Sequence, residues 1–333
     1  MLSYNLWGRP SGLFFPNSST MNISPISVEE FSASVLAVPP LARRADLSID
    51  TQENRKLIRH IESGGLRTLL YGGNANLYHT SVAEYDGLLE MLADAASDTT
   101  RVIPAIGPDF GKMMDQARLL RGTGYRTAMV LPMQGFTTPE GVADGISRVV
   151  DFMGMPVTLY IKSEETIGVD ALGRLVDEGR VLVVKYAIVR NNMRDASGDH
   201  YLKALVERIG AQRIVSGMGE RPTLAHVAGL GLASFTTGSG CIAPAACHAL
   251  FQALKAKDLA AAQPLYDGFM PLETLRDSIS LIRVLHDAVT LSGVADMGPH
   301  LPLLSASPAD RFDDIRSAAG ALLAYDKGFA HSA

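Results

Sequence analysis

The stretch VTLYIKSEETIGVDALGRLVDEGRVLVVKYA, residues 157–187, holds two short β-branched runs, 157–160 and 181–185, separated by a longer segment with helical spacing. Strands that alternate with helices pair in parallel, because a crossover helix brings the chain back in the same direction. The second run also poses a chemical question. Val181-Leu182-Val183-Val184 ends on Lys185 instead of on a turn residue, and an ammonium at the tip of a buried strand is costly to desolvate. Such a lysine is exposed at a loop, paired, or kept there for its nucleophilic amine.

Outward from this unit the same alternation begins near residue 33 and persists without a break. The remaining candidate strands are 35–38, 68–71, 102–105, 128–131, 214–216 and 234–236. Helix starts are marked by Asp50 before TQENRKLIRHIE, by Ser81 with Glu84 as a capping box, by Thr138 with Pro139 at the first helical position, and by Ser197 before GDHYLKALVERI. Eight such units over roughly 220 residues predict an α/β chain closed into a (β/α)8 TIM barrel. A doubly wound open sheet would carry a glycine-rich dinucleotide loop after its first strand, and AVPPLARRADLS (37–48) is not one. Strand signals stop near residue 257, and helical patterns follow on both sides of a Pro-rich break at 299–308. The expected organisation is an irregular N-terminal arm (1–30), a barrel carrying the active site (31–256) and a C-terminal α-helical extension (257–333).

Composition narrows the function. A chain of 333 residues with 47% hydrophobic and 20% charged content is that of an ordinary globular protein, and its formal charge of -5 offers no basic stripe for nucleic acid. No stretch approaches the roughly 18 apolar residues of a membrane helix, and residues 1–25 lack the form of a signal peptide. The arm holds Trp7 and Phe14-Phe15, which are expected to pack on the body or on a neighbouring subunit unless Met21 is the true start. Only Cys241 and Cys247 occur, in no metal-type pairing, which fits a reducing cytoplasm. Asp195, His200 and His226 have no metal-ligand spacing, and the 13 methionines read as core filling. Neither metal nor cofactor is expected.

Chemistry in such a barrel collects where the strands run out into the following loops. Tyr160 and Lys185 stand at the ends of the fifth and sixth strands, and since neighbouring strands lie about 4.8 Å apart the phenol and the amine can meet if both point inward. A lysine in a partly apolar pocket loses some preference for its charged form, and the free amine attacks a carbonyl to give an imine. A neighbouring tyrosine relays the protons.

The order of these signals resembles the dihydrodipicolinate synthase and N-acetylneuraminate lyase family, class I aldolases and dehydratases on a (β/α)8 barrel with a C-terminal helical extension. The resemblance runs from about Val35 to Ala324. VTLYIKSEETIG is similar to the strand of the family's catalytic tyrosine, which implies that role for Tyr160. VLVVKYA resembles the Schiff-base strand, which implies it for Lys185. IVSGMGE matches the glycine-bearing seventh strand at Gly217, and GLASFTTGSGCIAP resembles the pocket-lining eighth, placing Thr236 and Thr237 beside the substrate. Where the family reads Gly-Thr-Thr-Gly-Glu after the second strand, this chain has Gly72-Gly73-Asn74-Ala75-Asn76. Gly73, Asn74 and Asn76 are therefore the expected carboxylate site, held by amide donors in place of two hydroxyls. The family's second tyrosine is replaced by Met133-Gln134, and the synthases' arginine has no counterpart in YIKSEETIG.

The expectation is thus a lyase, divergent from the lysine-biosynthetic synthase, acting on a 2-oxo acid such as pyruvate or a sugar-derived keto acid through Lys185. A homo-oligomer, dimer or tetramer, is implied by the resemblance alone. Lys162, two residues past Tyr160, is expected on the same face as the tyrosine, to bind an anionic group or to depress the pKa of Lys185; the alternative is a solvated lysine balanced by Glu164 and Glu165. Arg190 and Arg194 raise the same possibility at longer reach, and Tyr78 and His79 could border the site. Two rivals remain: a barrel that lost turnover and serves as a small-molecule binding or interaction protein, and a phosphate-binding barrel enzyme using TTGSG (236–240).

Overall fold

The computed structural model describes residues 21–132, 135–193 and 195–329. The first 20 residues of the arm, with Trp7, Phe14 and Phe15, and also Met133, Gln134 and Arg194, lie outside the described residues.

Eight parallel strands close on themselves in chain order. They are β1 (Leu36–Ala37), β2 (Thr68–Tyr71), β3 (Arg101–Ile106), β4 (Ala128–Val130), β5 (Val157–Ile161), β6 (Val181–Tyr186), β7 (Ile214–Ser216) and β8 (Ser234–Thr237). Helices cover the outer face, so the strands are apolar on both sides and read as continuous runs without alternation. The crossover helices are α1 (Thr51–Ser63), α2 (Val82–Ala95), α3 (Phe110–Leu120), α4 (Pro139–Met153), α5 (Val169–Asp177) and α6 (His200–Ile209). A short π-helical turn, Leu224–Gly229, takes the helix position between β7 and β8, and α7 (Pro244–Lys255) follows the last strand. Beyond it come α8 (Leu259–Ser278), α9 (Leu281–Ser292) and α10 (Phe312–Lys327).

Most helix entries are capped by the residues their sequence marks. Asp50 accepts from the amides of Gln52 and Glu53, and Thr138 accepts from Gly141 with Pro139 in the first turn. Two details differ. Ser81 caps α2, but Glu84 does not complete a capping box: its carboxylate lies 2.7 Å from the buried Arg43 guanidinium. Helix α6 is capped by Asp199, which accepts from Leu202, while the Ser197 hydroxyl is given to Asp195.

One irregularity decides the site. Val157 pairs with Val181, but Thr158 pairs with Val183, so Leu182 is an extra residue in β6. A bulge of this kind shifts every later residue of the strand by one and so turns it to the other face. Because of it Tyr160 pairs directly with Lys185. In a regular ladder Lys185 would stand beside Ile161, on the opposite face.

The described part of the arm, from Met21, crosses the start of β3 at the floor of the barrel. Met21 and Asn22 donate backbone hydrogen bonds to Ala93 and Thr100, and Arg101 is enclosed by Asn22, Ser24 and Glu30. At the opposite end α8 packs on α7 and α10 and brings its last turns over the ends of β7 and β8.

Candidate active site

At the strand ends of β5, β6 and β8 a small cavity of about 70 Å³ is lined by Val38, Gly73, Asn74, Tyr160, Lys185, Gly217, Thr236 and residues of α8. That volume exceeds the room one water needs several-fold and suits a small organic acid. Lys185 is only 6% exposed. Its Nζ lies 4.0 Å from the centroid of the Tyr160 ring and makes no hydrogen bond among the described residues.

Burial lowers the pKa of Lys185 to about 7, and the positive charges of Lys162 and Arg276 push in the same direction. The electron-rich face of Tyr160 opposes this, because a cation over an aromatic ring gains about 0.5–2 kcal/mol. Desolvation remains the larger effect. Burial raises the Tyr160 phenol above its ordinary value, and Tyr78 adds to the shift, so the ring keeps its proton at neutral pH. Gly217 is required by the lysine itself: a Cβ there would stand 2.8 Å from Lys185 Cγ and 2.9 Å from the Tyr186 carbonyl oxygen.

The residues expected from sequence divide. Lys185, Tyr160, Gly73, Asn74, Gly217 and Thr236 share the cavity. Asn76 does not line it. Its positive φ of 56° reverses the chain, and the residue joins Arg43, His286, His300 and Leu301 around a separate space of about 10 Å³. Thr237 is also absent from the lining, because alternation along β8 turns it opposite to Thr236, and its hydroxyl donates to buried Glu220. Lys162 borders a broad cleft of about 900 Å³ together with Tyr78, His79, Phe110, Phe136 and residues of α4. It has no ion pair among the described residues, for Glu164 is taken by Arg190. Arg190 is bound to Asp199 at 2.8 Å, and Asp199 also receives the Tyr186 hydroxyl, so this arginine ties the loop after β6 to the start of α6. His226 donates to or accepts from Ser216 at 2.9 Å outside the barrel wall.

Three charged residues complete the cavity's surroundings with no clear mark in the sequence. Glu273 and Arg276 of α8 line it, and their carboxylate and guanidinium meet at 2.5 Å. Ser239 donates to the same Glu273 oxygen. Behind them Glu220 is fully buried with one oxygen on the Thr237 hydroxyl and the other without a partner among the described residues. Burial first and Glu273 second raise the Glu220 pKa well above the carboxylate range, so a neutral carboxyl fits that place. Glu273 and Arg276 are three apart on an apolar helix, a spacing that reads as a surface ion pair. Gly219 and Gly238 are the only hint: a Cβ on the first would meet Glu273 Oε2 at 2.6 Å, and on the second Arg276 Nη2 at 2.4 Å.

No helix among the described residues is long and apolar enough to cross a membrane, and no group of metal-ligating side chains is found among them.

The model of the dihydrodipicolinate synthetase family matches residues 34–316. A 4-hydroxy-tetrahydrodipicolinate synthase of Corynebacterium urealyticum is 24% identical over 299 residues, 88% of this chain and 95% of the relative. A protein of Xanthobacter autotrophicus described as "Probable 5-dehydro-4-deoxyglucarate dehydratase" is 26% identical over 215 residues, 62% of this chain and 67% of its own. The crystal structure of dihydrodipicolinate synthase from Bacillus clausii superposes with a TM-score of 0.76 at 19% identity, covering 90% of this chain and 99% of that one. The last likeness establishes the barrel with its C-terminal helices, and the match over residues 34–316 establishes descent: the chain belongs to the dihydrodipicolinate synthetase family.

Proposed function

We propose that the protein is a cofactor-independent lyase that holds a 2-oxo acid as an imine on Lys185. The observation that supports this reading is the state of one amine. Lys185 Nζ is buried, free of hydrogen bonds among the described residues, and shifted to about 7 at the wall of a cavity sized for a small acid.

The lone pair of the neutral amine adds to the keto carbon, a C–N bond forms, and the former carbonyl oxygen takes up a proton. Loss of that oxygen as water leaves the protonated imine, which accepts the electron pair released when a bond at the neighbouring carbons breaks. To Tyr160, protonated and with its ring face against the lysine nitrogen, we assign the passage of protons to and from the departing oxygen. The β2–α2 loop offers the substrate the amides of Gly73 and Asn74, from which no described residue accepts. Hydrolysis of the imine returns the free lysine.

Cleavage, condensation and dehydration share this imine and differ in what the broad cleft holds. Lys162, without an ion pair among the described residues at the edge of that cleft, suits an anionic group on the distal part of the substrate. A homo-oligomer, dimer or tetramer, belongs to the same proposal.

Borohydride reduction in the presence of pyruvate and a panel of 2-oxo acids, followed by intact mass and peptide mapping, tests it. One reduced adduct on Lys185 is expected. No adduct with any 2-oxo acid would favour instead a barrel that binds small molecules without turning them over.

A further inference from the structure

The cavity beside Lys185 contains a cation that the β2–α2 loop does not supply. Arg276 reaches it from α8, is 4% exposed, and is held from one side by Glu273, whose carboxylate takes Nη1 at 2.5 Å. Nε makes a long contact of 3.4 Å to the Leu281 carbonyl oxygen, and Nη2 has no hydrogen-bond partner among the described residues. Buried donors are almost always matched, so an open one on a cavity wall marks the place of a missing acceptor. The two glycines that make room for this pair, Gly219 and Gly238, line the same cavity. Across it the loop residue Asn74 gives one N–H of its side chain to the Val38 carbonyl oxygen at 2.9 Å, which fixes the loop against β1. The loop therefore presents neutral dipoles only. The remaining acid nearby, Glu220, is directed at Thr237 behind the wall and is not part of the lining.

We infer that Arg276 is the carboxylate-binding residue of the Lys185 cavity, so that the 2-oxo acid sits with its carboxylate against the α8 guanidinium and its third carbon toward the cleft bordered by Lys162. The inference rests on the reading of Lys185 as the imine-forming residue. The open Nη2 of the guanidinium donates a charge-assisted hydrogen bond to a carboxylate oxygen, and such a bond is stronger than contacts to neutral amides. The seat has moved from the loop that carries it in the resemblance to a helix of the C-terminal extension. This ties the extension to substrate selection: α8 favours an acid over a neutral carbonyl compound of similar size.

The test compares pyruvate with hydroxyacetone, a ketone of similar size without a carboxylate, by borohydride trapping on the full chain. Arg276→Gln is expected to raise the pyruvate concentration for half-maximal trapping at least about tenfold, to move that for hydroxyacetone far less, only by the change in Lys185 protonation that both ketones share, and to be partly rescued by Arg276→Lys. Since Gln would leave Glu273 buried without its cation, the double variant Glu273→Gln/Arg276→Gln is measured beside it. Calorimetric titration of pyruvate into Lys185→Ala, with and without Arg276→Gln, reads the carboxylate seat when no imine can form. If the two ketones respond alike to Arg276→Gln, or if pyruvate binding to Lys185→Ala is absent or indifferent to it, the inference falls while the lysine chemistry stands. Should the wild-type chain trap no adduct while Arg276 still governs pyruvate binding, the lysine chemistry falls and the carboxylate seat stands.

Discussion

Arg101 and Arg276 are both buried, at opposite ends of the same barrel, and their surroundings differ in one respect. At the floor every nitrogen of Arg101 is engaged: Nε and Nη2 with Glu30, Nη1 with the carbonyl oxygens of Asn22 and Ser24, and Nη2 again with the Ser24 hydroxyl. At the rim Arg276 has one short bond to Glu273 and leaves Nη2 open beside Lys185, whose own nitrogen is also unbonded among the described residues. A closed set of donors stabilises the fold. An open set costs stability until a ligand completes it. If the floor is structural and the rim carries the proposed chemistry, variants at the two ends should separate along that line.

The largest effect belongs to Lys185. Lys185→Met should abolish covalent capture, a loss of about a thousandfold or more, and at the same time stabilise the fold by about 1–4 kcal/mol near neutral pH. The sign follows from linkage. The folded value of about 7 lies below the unfolded value, so the unfolded chain binds more protons between about 7 and 10.5. The wild-type deficit is full below pH 7 and shrinks as pH rises toward 10.5, and chemical denaturation of both chains at pH 7 and 9.5 should show the gap closing. Next is the floor. Arg101→Met should destabilise by about 2–4 kcal/mol, as loss of one partner from a buried charge cluster does, with no change in the pyruvate concentration that half-saturates trapping. A shift in that concentration would break the division between the two ends.

Two smaller effects sharpen it. Gly217→Ala sets a methyl against the stem of Lys185, and displacement of a reacting group by a fraction of an ångström should slow adduct formation about 10- to 100-fold while circular dichroism shows the native helix content. Smallest is Lys162→Ala. Removal of its like charge should move the pH midpoint of trapping upward, by about half a unit or less given screening across the open cleft, and an unchanged midpoint would assign the shift to burial and Arg276 alone.

Much of the barrel is legible because its strands are apolar on both faces and its helix entries carry short polar caps. Tyr160 and Lys185 are legible as types of residue at strand ends, but their meeting is not. Counted from Val157 and Val181, they stand three and four residues along, on opposite faces of a regular ladder. The bulge at Leu182 brings them to one face, and nothing in VLVVKYA marks it, since any residue of that run could be the extra one. Asn76 and Thr237 mislead for related reasons, a positive φ in one and strand alternation in the other. Arg276 is hidden because burial arises from the path of α8, set by its packing on α7 and α10, whereas the local pattern of a Glu and an Arg three apart is that of a solvated helix face.

The central claim is that about half of the Lys185 amine is uncharged at neutral pH, and a chemical-shift titration reads it directly. With the lysines reductively methylated with carbon-13 and the resonance assigned by its loss in Lys185→Arg, the account expects a transition near pH 7, far from those of solvent-exposed lysines. A Lys185 resonance that titrates with the others near 10.5 would contradict it.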